Sequence, residues 1–273
     1  MKPPVTNVRR FVWRESGLSE AERSIPEEAA IALTYNGGTQ AVMMASPQDL
    51  EDFAVGFSLS ERIVTSVSDI LSLDVLSFED GIELRMWLDP SLAERISQRR
   101  RHIAGPTGCG LCGIDSIVEA TRPATVIGRG RAFTPAQVMD AMQSIHALQK
   151  LNIETRAVHA AAFWMPGRGV VALREDVGRH NALDKLAGAL ARQGIEAAEG
   201  MVLLTSRVSV EMVQKTAALG ASVMVSVSAP TALAVRMAEA ANITLAAVAR
   251  ADGFEVFTHA DRILPGGVAD VVA

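Results

Sequence analysis

The apolar residues of this chain fall into short runs separated by turn residues, and the runs change character partway along. In the first part they pair into hairpins. Ile31-Ala-Leu-Thr-Tyr35 and Ala41-Val-Met-Met44 flank Asn36-Gly37-Gly38, while Leu71-Ser-Leu-Asp-Val-Leu76 and Ile82-Glu-Leu-Arg-Met-Trp87 flank Glu79-Asp80-Gly81. Asn-Gly and Asp-Gly between apolar runs signal tight hairpins, because their backbones accept the positive φ such turns need. Between the hairpins, Ser46 as N-cap and Pro47 at the first helical position predict a helix to about Arg62. Asp89-Pro90 repeats the signal and predicts a helix ending in Gln98-Arg99-Arg100-Arg101.

The second part opens with Thr134-Pro135-Ala136-Gln137, a capping box that predicts an amphipathic helix to about Lys150. A hairpin follows, Ala160-Ala-Ala-Phe-Trp-Met165 and Val170-Val-Ala-Leu173 around Pro166-Gly167-Arg168-Gly169, then a helix to about Arg192. Strands Met201-Val-Leu-Leu-Thr205, Ser222-Val-Met-Val-Ser-Val227 and Ile243-Thr-Leu-Ala-Ala-Val248 then alternate with helices from Val210 to Leu219 and from Thr231 to Ala241. Near-continuous apolar strands alternating with helices imply a sheet covered on both faces. The expected fold is therefore α/β: a smaller N-terminal α+β domain over 1–130 and a three-layer α/β/α domain over 131–273.

Composition narrows the function. A chain of 273 residues with 49% hydrophobic content can fill the cores of two modest domains. With 26 Lys+Arg against 31 Asp+Glu, the net charge of −5 argues against broad neutralisation of nucleic-acid phosphates. The 4% aromatic content argues against base-stacking platforms. No apolar stretch spans a bilayer, since Pro230, Arg236 and Glu239 interrupt the longest. The expectation is a soluble cytoplasmic protein with no nucleic-acid or membrane partner.

The only two cysteines, Cys109 and Cys112, sit in the glycine-rich RHIAGPTGCGLCG at 101–113. A zinc site would need two further ligands from His102, His146, His159, His180, His259 or carboxylates, and no second C-x-x-C or H-x-x-x-H spacing exists. A zinc deaminase would need P-C-x-x-C and H-x-E, whereas Gly108 precedes Cys109 and Ala160-Ala161 follows His159. No zinc is expected. A thioredoxin-type pair belongs at a helix N-terminus rather than on a glycine loop. What remains is a mobile sulfur carrier, a thiolate that takes up sulfane sulfur as a persulfide and delivers it elsewhere. Such a nucleophile must be ionised, and one guanidinium from Arg99, Arg100 or Arg101 at about 6 Å favours the anion by roughly 2 to 3 kcal/mol before solvent screening. The same arginines also complement a helix C-terminus.

A second concentration of chemistry is EDVGRHNALDK at 175–185, where Arg179 and His180 mark the turn into a helix. The Thr205-Ser206-Arg207-Val208-Ser209 and Ser226-Val227-Ser228-Ala229-Pro230-Thr231 stretches each end an apolar strand and open a helix, an arrangement that offers backbone N–H groups to phosphates. With the turn Val248-Ala249-Arg250-Ala251-Asp252-Gly253 they outline a crevice for a nucleotide-like molecule.

In this order, YNGGTQAVMMASPQDLEDFAVGF (35–57), CGLCG (109–113), VHAAAF (158–163), EDVGRHNALDK, TSRVSVEMVQK (205–215) and SAPTALAVRMAE (228–239) resemble the formate dehydrogenase accessory sulfurtransferase family, FdhD. The resemblance implies a cytoplasmic homodimer whose C-terminal domain is cytidine-deaminase-like without the zinc site. It implies sulfur received from a cysteine desulfurase and passed to the Mo-bis-molybdopterin guanine dinucleotide of formate dehydrogenase, with GDP as a partial ligand. Carried over, Cys109 matches the persulfide-forming residue, Cys112 its partner, and 248–253 the cofactor-binding stretch. Ile114 and Ser206 depart from the usual lysine and glycine. A cofactor-holding chaperone without sulfur chemistry is the competing reading, and it leaves two thiols on a glycine hinge unexplained.

Overall fold

The computed structural model describes residues 3–92 and 122–264. Cys109, Cys112 and the arginines at 99–101 lie outside the described residues. The chain opens with a two-stranded antiparallel ribbon, β1 (Val5–Arg14) and β2 (Gly17–Pro26), which the sequence pattern did not announce. Its apolar residues largely stay in solvent, Trp13 being 79% exposed, so no buried face imposed a legible alternation.

β3 (Ala29–Tyr35), β4 (Gly38–Ala45), β5 (Ile70–Ser77) and β6 (Ile82–Leu88) form a sheet of order β4-β3-β6-β5, with β3 and β6 parallel and the remaining pairs antiparallel. Asn36 (φ 48°) and Gly37 (φ 77°) make the expected tight turn between β3 and β4. Ile31, Leu33 and Tyr35 on β3 and Ile82, Leu84 and Met86 on β6 face helix α1 (Leu50–Ser60), whose Phe53, Ala54 and Phe57 complete that core. Helix α1 starts later than the sequence suggested. Ser46 is not its N-cap: its hydroxyl accepts from the Val177 N–H at 3.1 Å, and its own N–H donates to Asp176 Oδ2 at 3.0 Å. A long-range partner took the residue that local preference assigned to the helix. After Asp89 the chain forms a 3-10 turn (Pro90–Leu92), and the rest of the helix expected there lies outside the described residues.

The second sheet holds β7 (His159–Met165), β8 (Gly169–Asp176), β9 (Met201–Leu204), β10 (Val223–Ser226), β11 (Thr244–Arg250) and β12 (Gly253–Val256) in the order β12-β11-β10-β9-β7-β8. β9, β10 and β11 are parallel, and β7, β8 and β12 pair antiparallel with their neighbours. Successive side chains enter opposite cores, as strand geometry requires. Ala161, Phe163, Val202, Leu204, Met224 and Leu245 meet α4 (Arg179–Arg192), α5 (Val210–Leu219) and α6 (Ala232–Ala240) on one face. Ala162, Trp164, Met201, Leu203, Val223, Val225 and Ala246 meet α2 (Pro135–Ser144) on the other. This is the expected three-layer α/β/α arrangement. The Thr134–Gln137 capping box forms, though α2 ends at Ser144 and a 3-10 turn and α3 (Lys150–Thr155) follow. Residues 122–131 run along this sheet's helices: Gln214 Nε2 donates to the Arg122 carbonyl at 2.7 Å, and the Ile127 N–H to Ala241 at 3.1 Å.

Helix α1 does not stop at its own sheet. It crosses α4 with no side chain between the two backbones, since a Cβ on Gly56 would lie 1.7 Å from the Asp184 carbonyl oxygen and one on Gly188 would lie 1.9 Å from that of Asp52. In an open helix, Gly→Ala gains about 1 kcal/mol. Here the added methyl must force the helices apart, so Gly56→Ala and Gly188→Ala are each expected to lower stability by about 3 kcal/mol, the upper end for overpacking. Urea unfolding at unchanged m-value measures this; midpoints equal to wild type would show that the crossing yields freely.

Candidate functional site

The topology brings one end of five strands to a common edge. β9, β10 and β11 are parallel, so 205–207, 227–230 and 251–252 leave the sheet together. β7 begins and β8 ends at the same edge: the Ala160 N–H donates to Thr205 Oγ1 at 2.8 Å, and His159 pairs with Asp176. Ser206, Arg207, Ser228, Arg179, His180 and the 248–253 turn, all singled out from the sequence, are thereby gathered on one rim. Carboxyl ends of parallel strands facing helix starts are where open α/β sheets bind ligands.

Local backbone shapes this rim. Ser226 Oγ donates to the Ser206 carbonyl at 2.6 Å and accepts from the Ser228 N–H at 3.1 Å, tying the β9 and β10 exits together. Val248 holds φ 53°, a left-handed conformation that is a genuine outlier for a β-branched residue, and the β11–β12 register shifts there. Strain of that kind persists only where surroundings impose it, and it clusters at functional segments. Ala249 is buried, whereas Arg250, Ala251 and Asp252 are exposed and Gly253 is half-buried. The Arg250 guanidinium bonds the Val227 and Ala249 carbonyls, which fixes it over the β10 exit. Arg207 is exposed at the β9 exit, and Ser206 is buried.

Most charges in the stretch 174–185 hold the scaffold together. Arg174 pairs with Asp52 at 2.6 Å, and Asp52 also receives Arg192 at 2.6 Å. Glu175 accepts from the Leu151 and Asn152 N–H groups, both at 2.8 Å, and so caps α3. Asp176, fully buried, accepts from Lys185 Nζ at 2.6 Å, from the Gly178 N–H at 2.8 Å and from Asn181 Nδ2 at 3.0 Å. Asp184 accepts from Ser60 Oγ at 2.6 Å and from Lys215 Nζ at 2.9 Å. Burial works against the Lys215 ammonium, but Asp184 and Glu61 hold its pKa above the ordinary lysine range. These groups join α1 and the β4 exit to α4 and α5, leaving Arg179 and His180 to face the rim.

At that point the structure adds two residues the sequence reading had not assigned to the site, His159 and Glu211, beside Ser209 at the end of the Thr205–Ser209 stretch. His180 Nε2 lies 3.9 Å from Glu211 Oε2, too far for a hydrogen bond, and both side chains are nearly buried. Burial tends to raise the Glu211 pKa, yet the His180 ring and Ser209 hydroxyl beside it hold the carboxyl down at about 2. Burial, helped by the Arg179 charge, pushes the His159 ring below the usual histidine range, so it is neutral near pH 7. Glu211 carried a weak signal, an acidic residue in the first turn of α5, that ordinary helix preference already explains.

The model of the FdhD/NarQ family matches residues 26–264. The chain is 54% identical over 259 residues to the protein named Sulfur carrier protein FdhD of Brucella abortus biovar 1 (strain 9-941), covering 94% of this chain and 96% of that one. It is 50% identical over 258 residues to the protein of the same name from Agrobacterium fabrum (strain C58 / ATCC 33970), with 94% and 95% covered. Among solved structures, a putative formate dehydrogenase accessory protein from Desulfotalea psychrophila superposes with a TM-score of 0.77 over 96% of this chain and 100% of that one. At 24% identity that likeness is one of fold.

A carboxyl whose folded pKa is depressed adds stability above its unfolded pKa and loses it as pH falls through the folded one. Glu211 is therefore expected to make the protein lose stability on acidification from 4.5 toward about 2. Denaturant unfolding across that window should show a steeper loss for wild type than for Glu211→Gln; equal slopes would mean that the carboxyl is not held in its ionised form.

Proposed function

This chain belongs to the FdhD/NarQ family, and from that premise we propose that it is a cytoplasmic, homodimeric sulfur carrier for formate dehydrogenase. It takes sulfur from a cysteine desulfurase and passes it to the Mo-bis-molybdopterin guanine dinucleotide of the enzyme. The reading is carried by relatives named as sulfur carriers over nearly the whole chain, together with a sequence whose only thiols form one C-x-x-C.

The chemistry balances with those two thiols. The Cys109 thiolate attacks the outer sulfur of the donor's persulfide; a new S–S bond forms and the donor's cysteine leaves as thiolate. Delivering that sulfane sulfur as sulfide takes two electrons. Cys112 provides them by attacking Cys109, which closes a disulfide and releases hydrosulfide to the molybdenum of the acceptor. The acceptor is the substrate here, and its dinucleotide arm is held at the second sheet's rim. Arg207 and Arg250 neutralise the diphosphate while the helix starts after β9 and β10 offer N–H groups to it.

Cys109→Ser is expected to fold normally and to abolish formate dehydrogenase activity in a strain lacking the native protein. Intact mass after incubation with a desulfurase and cysteine should show one added sulfur atom on wild type and none on the variant; full activity from the variant would refute the carrier reading. Separately, Arg207→Ala and Arg250→Ala are each expected to weaken GDP binding by roughly ten- to a hundredfold, the value of one charge-assisted contact. Sulfur loading should be unchanged, and calorimetry alongside the mass assay distinguishes the two functions; joint loss of both would show that carrier and cofactor sites are one.

A further inference from the structure

The first turn of α4 brings Arg179 to the rim, yet that turn has no cap of the ordinary kind. Its N-cap position is Gly178, which has no side chain to accept the free N–H groups of a helix start. A Cβ there would lie 2.7 Å from Asn181 Nδ2, so the turn has no room for a serine or threonine. Asp176 substitutes from two residues upstream. One of its carboxylate oxygens accepts from the Gly178 N–H at 2.8 Å and from Asn181 Nδ2 at 3.0 Å. The other accepts from Lys185 Nζ at 2.6 Å and from the Ser46 N–H at 3.0 Å. Four donors fill the capacity of a carboxylate.

The last of those donors comes from the other half of the chain. Besides its N–H, the Ser46 hydroxyl accepts from the Val177 N–H at 3.1 Å and its carbonyl accepts from Lys185 Nζ at 2.9 Å, so all its polar groups are engaged by this one stretch. On either side, Asn181 Nδ2 donates to the Met44 carbonyl at 2.8 Å and Gln48 Nε2 to the Glu175 carbonyl at 3.3 Å. Ser46, Asp176 and Lys185 are fully buried, out of competition with water. The exit of β4 thus does for α4 what a threonine side chain does for α2 and α6.

We infer that Ser46 is a positioning residue for acceptor binding: through Val177 and Asp176 it holds the first turn of α4, and with it Arg179, in place on the rim. The Gly56–Gly188 crossing aims the helix, and Ser46 fixes where it begins. Binding groups must be held to about 0.5 Å by their supports. A turn left to fray has to be reordered by each incoming ligand, which lowers affinity. The inference rests on the cofactor-binding reading above and goes beyond it by placing a determinant of affinity in the N-terminal half of the chain.

Ser46→Ala removes the hydroxyl and keeps both main-chain bonds. Calorimetric titration of the full chain with GDP should then show an affinity about three- to tenfold below wild type, the net effect of one hydrogen bond. Asn181→Ala, which cuts the neighbouring tie, should do the same. In Ser46→Ala, amide exchange at Val177 should rise about tenfold or more while that of Leu203 in β9 stays unchanged. The Ser46→Ala/Arg179→Ala double variant is expected to bind GDP within about twofold of Arg179→Ala alone, because both changes act at one place. Losses that multiply instead would put the action of Ser46 elsewhere and overturn the assignment. Wild-type affinity for GDP in both single variants, alongside a lowered urea midpoint, would overturn it too, since that is what a purely structural role produces. Absence of any GDP binding by wild type would defeat the cofactor reading itself, and this inference with it.

Discussion

Where α1 meets α4, Gly56 and Gly188 let backbone touch backbone, and the rest of the molecule is built around that contact. The crossing is flanked by buried lysines, each over a phenylalanine of α1: Lys185 lies 5.8 Å from the Phe53 ring centre and Lys215 lies 5.7 Å from that of Phe57. Their carboxylate partners, Asp176 and Asp184, also hold Ser46 and Ser60 from the first half of the chain. Breaking one member of such a pair leaves an uncompensated buried charge, which costs about 3 to 5 kcal/mol. These pairs therefore fix the relative position of the two halves more than they add net stability. The direction of α4, and with it the placement of Arg179 and His180 at the rim, follows from a contact two and a half turns further along the same helix.

The rim shows the opposite economy. Val248 is strained, two helix starts lack side-chain caps, and four buried polar atoms go unpaired within a few residues of one another. The same chain caps α2 and α6 in the ordinary way. Several broken local rules gathered at one sheet edge are what a binding site superimposed on a stable scaffold produces. In this reading the division of labour is spatial: a thiol pair on a glycine-rich stretch handles sulfur, and a rigid sheet edge holds the acceptor.

The amino-acid sequence by itself determined the element order of the second half, since apolar runs of strand length between helix caps leave few alternatives. It also located the strand-to-helix turns at Ser206 and Ser228 and the only thiols, because glycine, serine and cysteine act through local conformation or intrinsic reactivity. Family membership was legible for the same reason: the motifs are contiguous. Tertiary structure alone decided the roles of Ser46, Glu175, Asp176, Asp184 and Lys185, whose charge and polarity are visible in the chain but whose partners lie as far as 139 residues away. It alone brought Glu211 opposite His180, and it alone gave Gly56 and Gly188 their purpose. A glycine inside a helix reads locally as a weakness, and only the approach of a second backbone turns the missing side chain into the requirement.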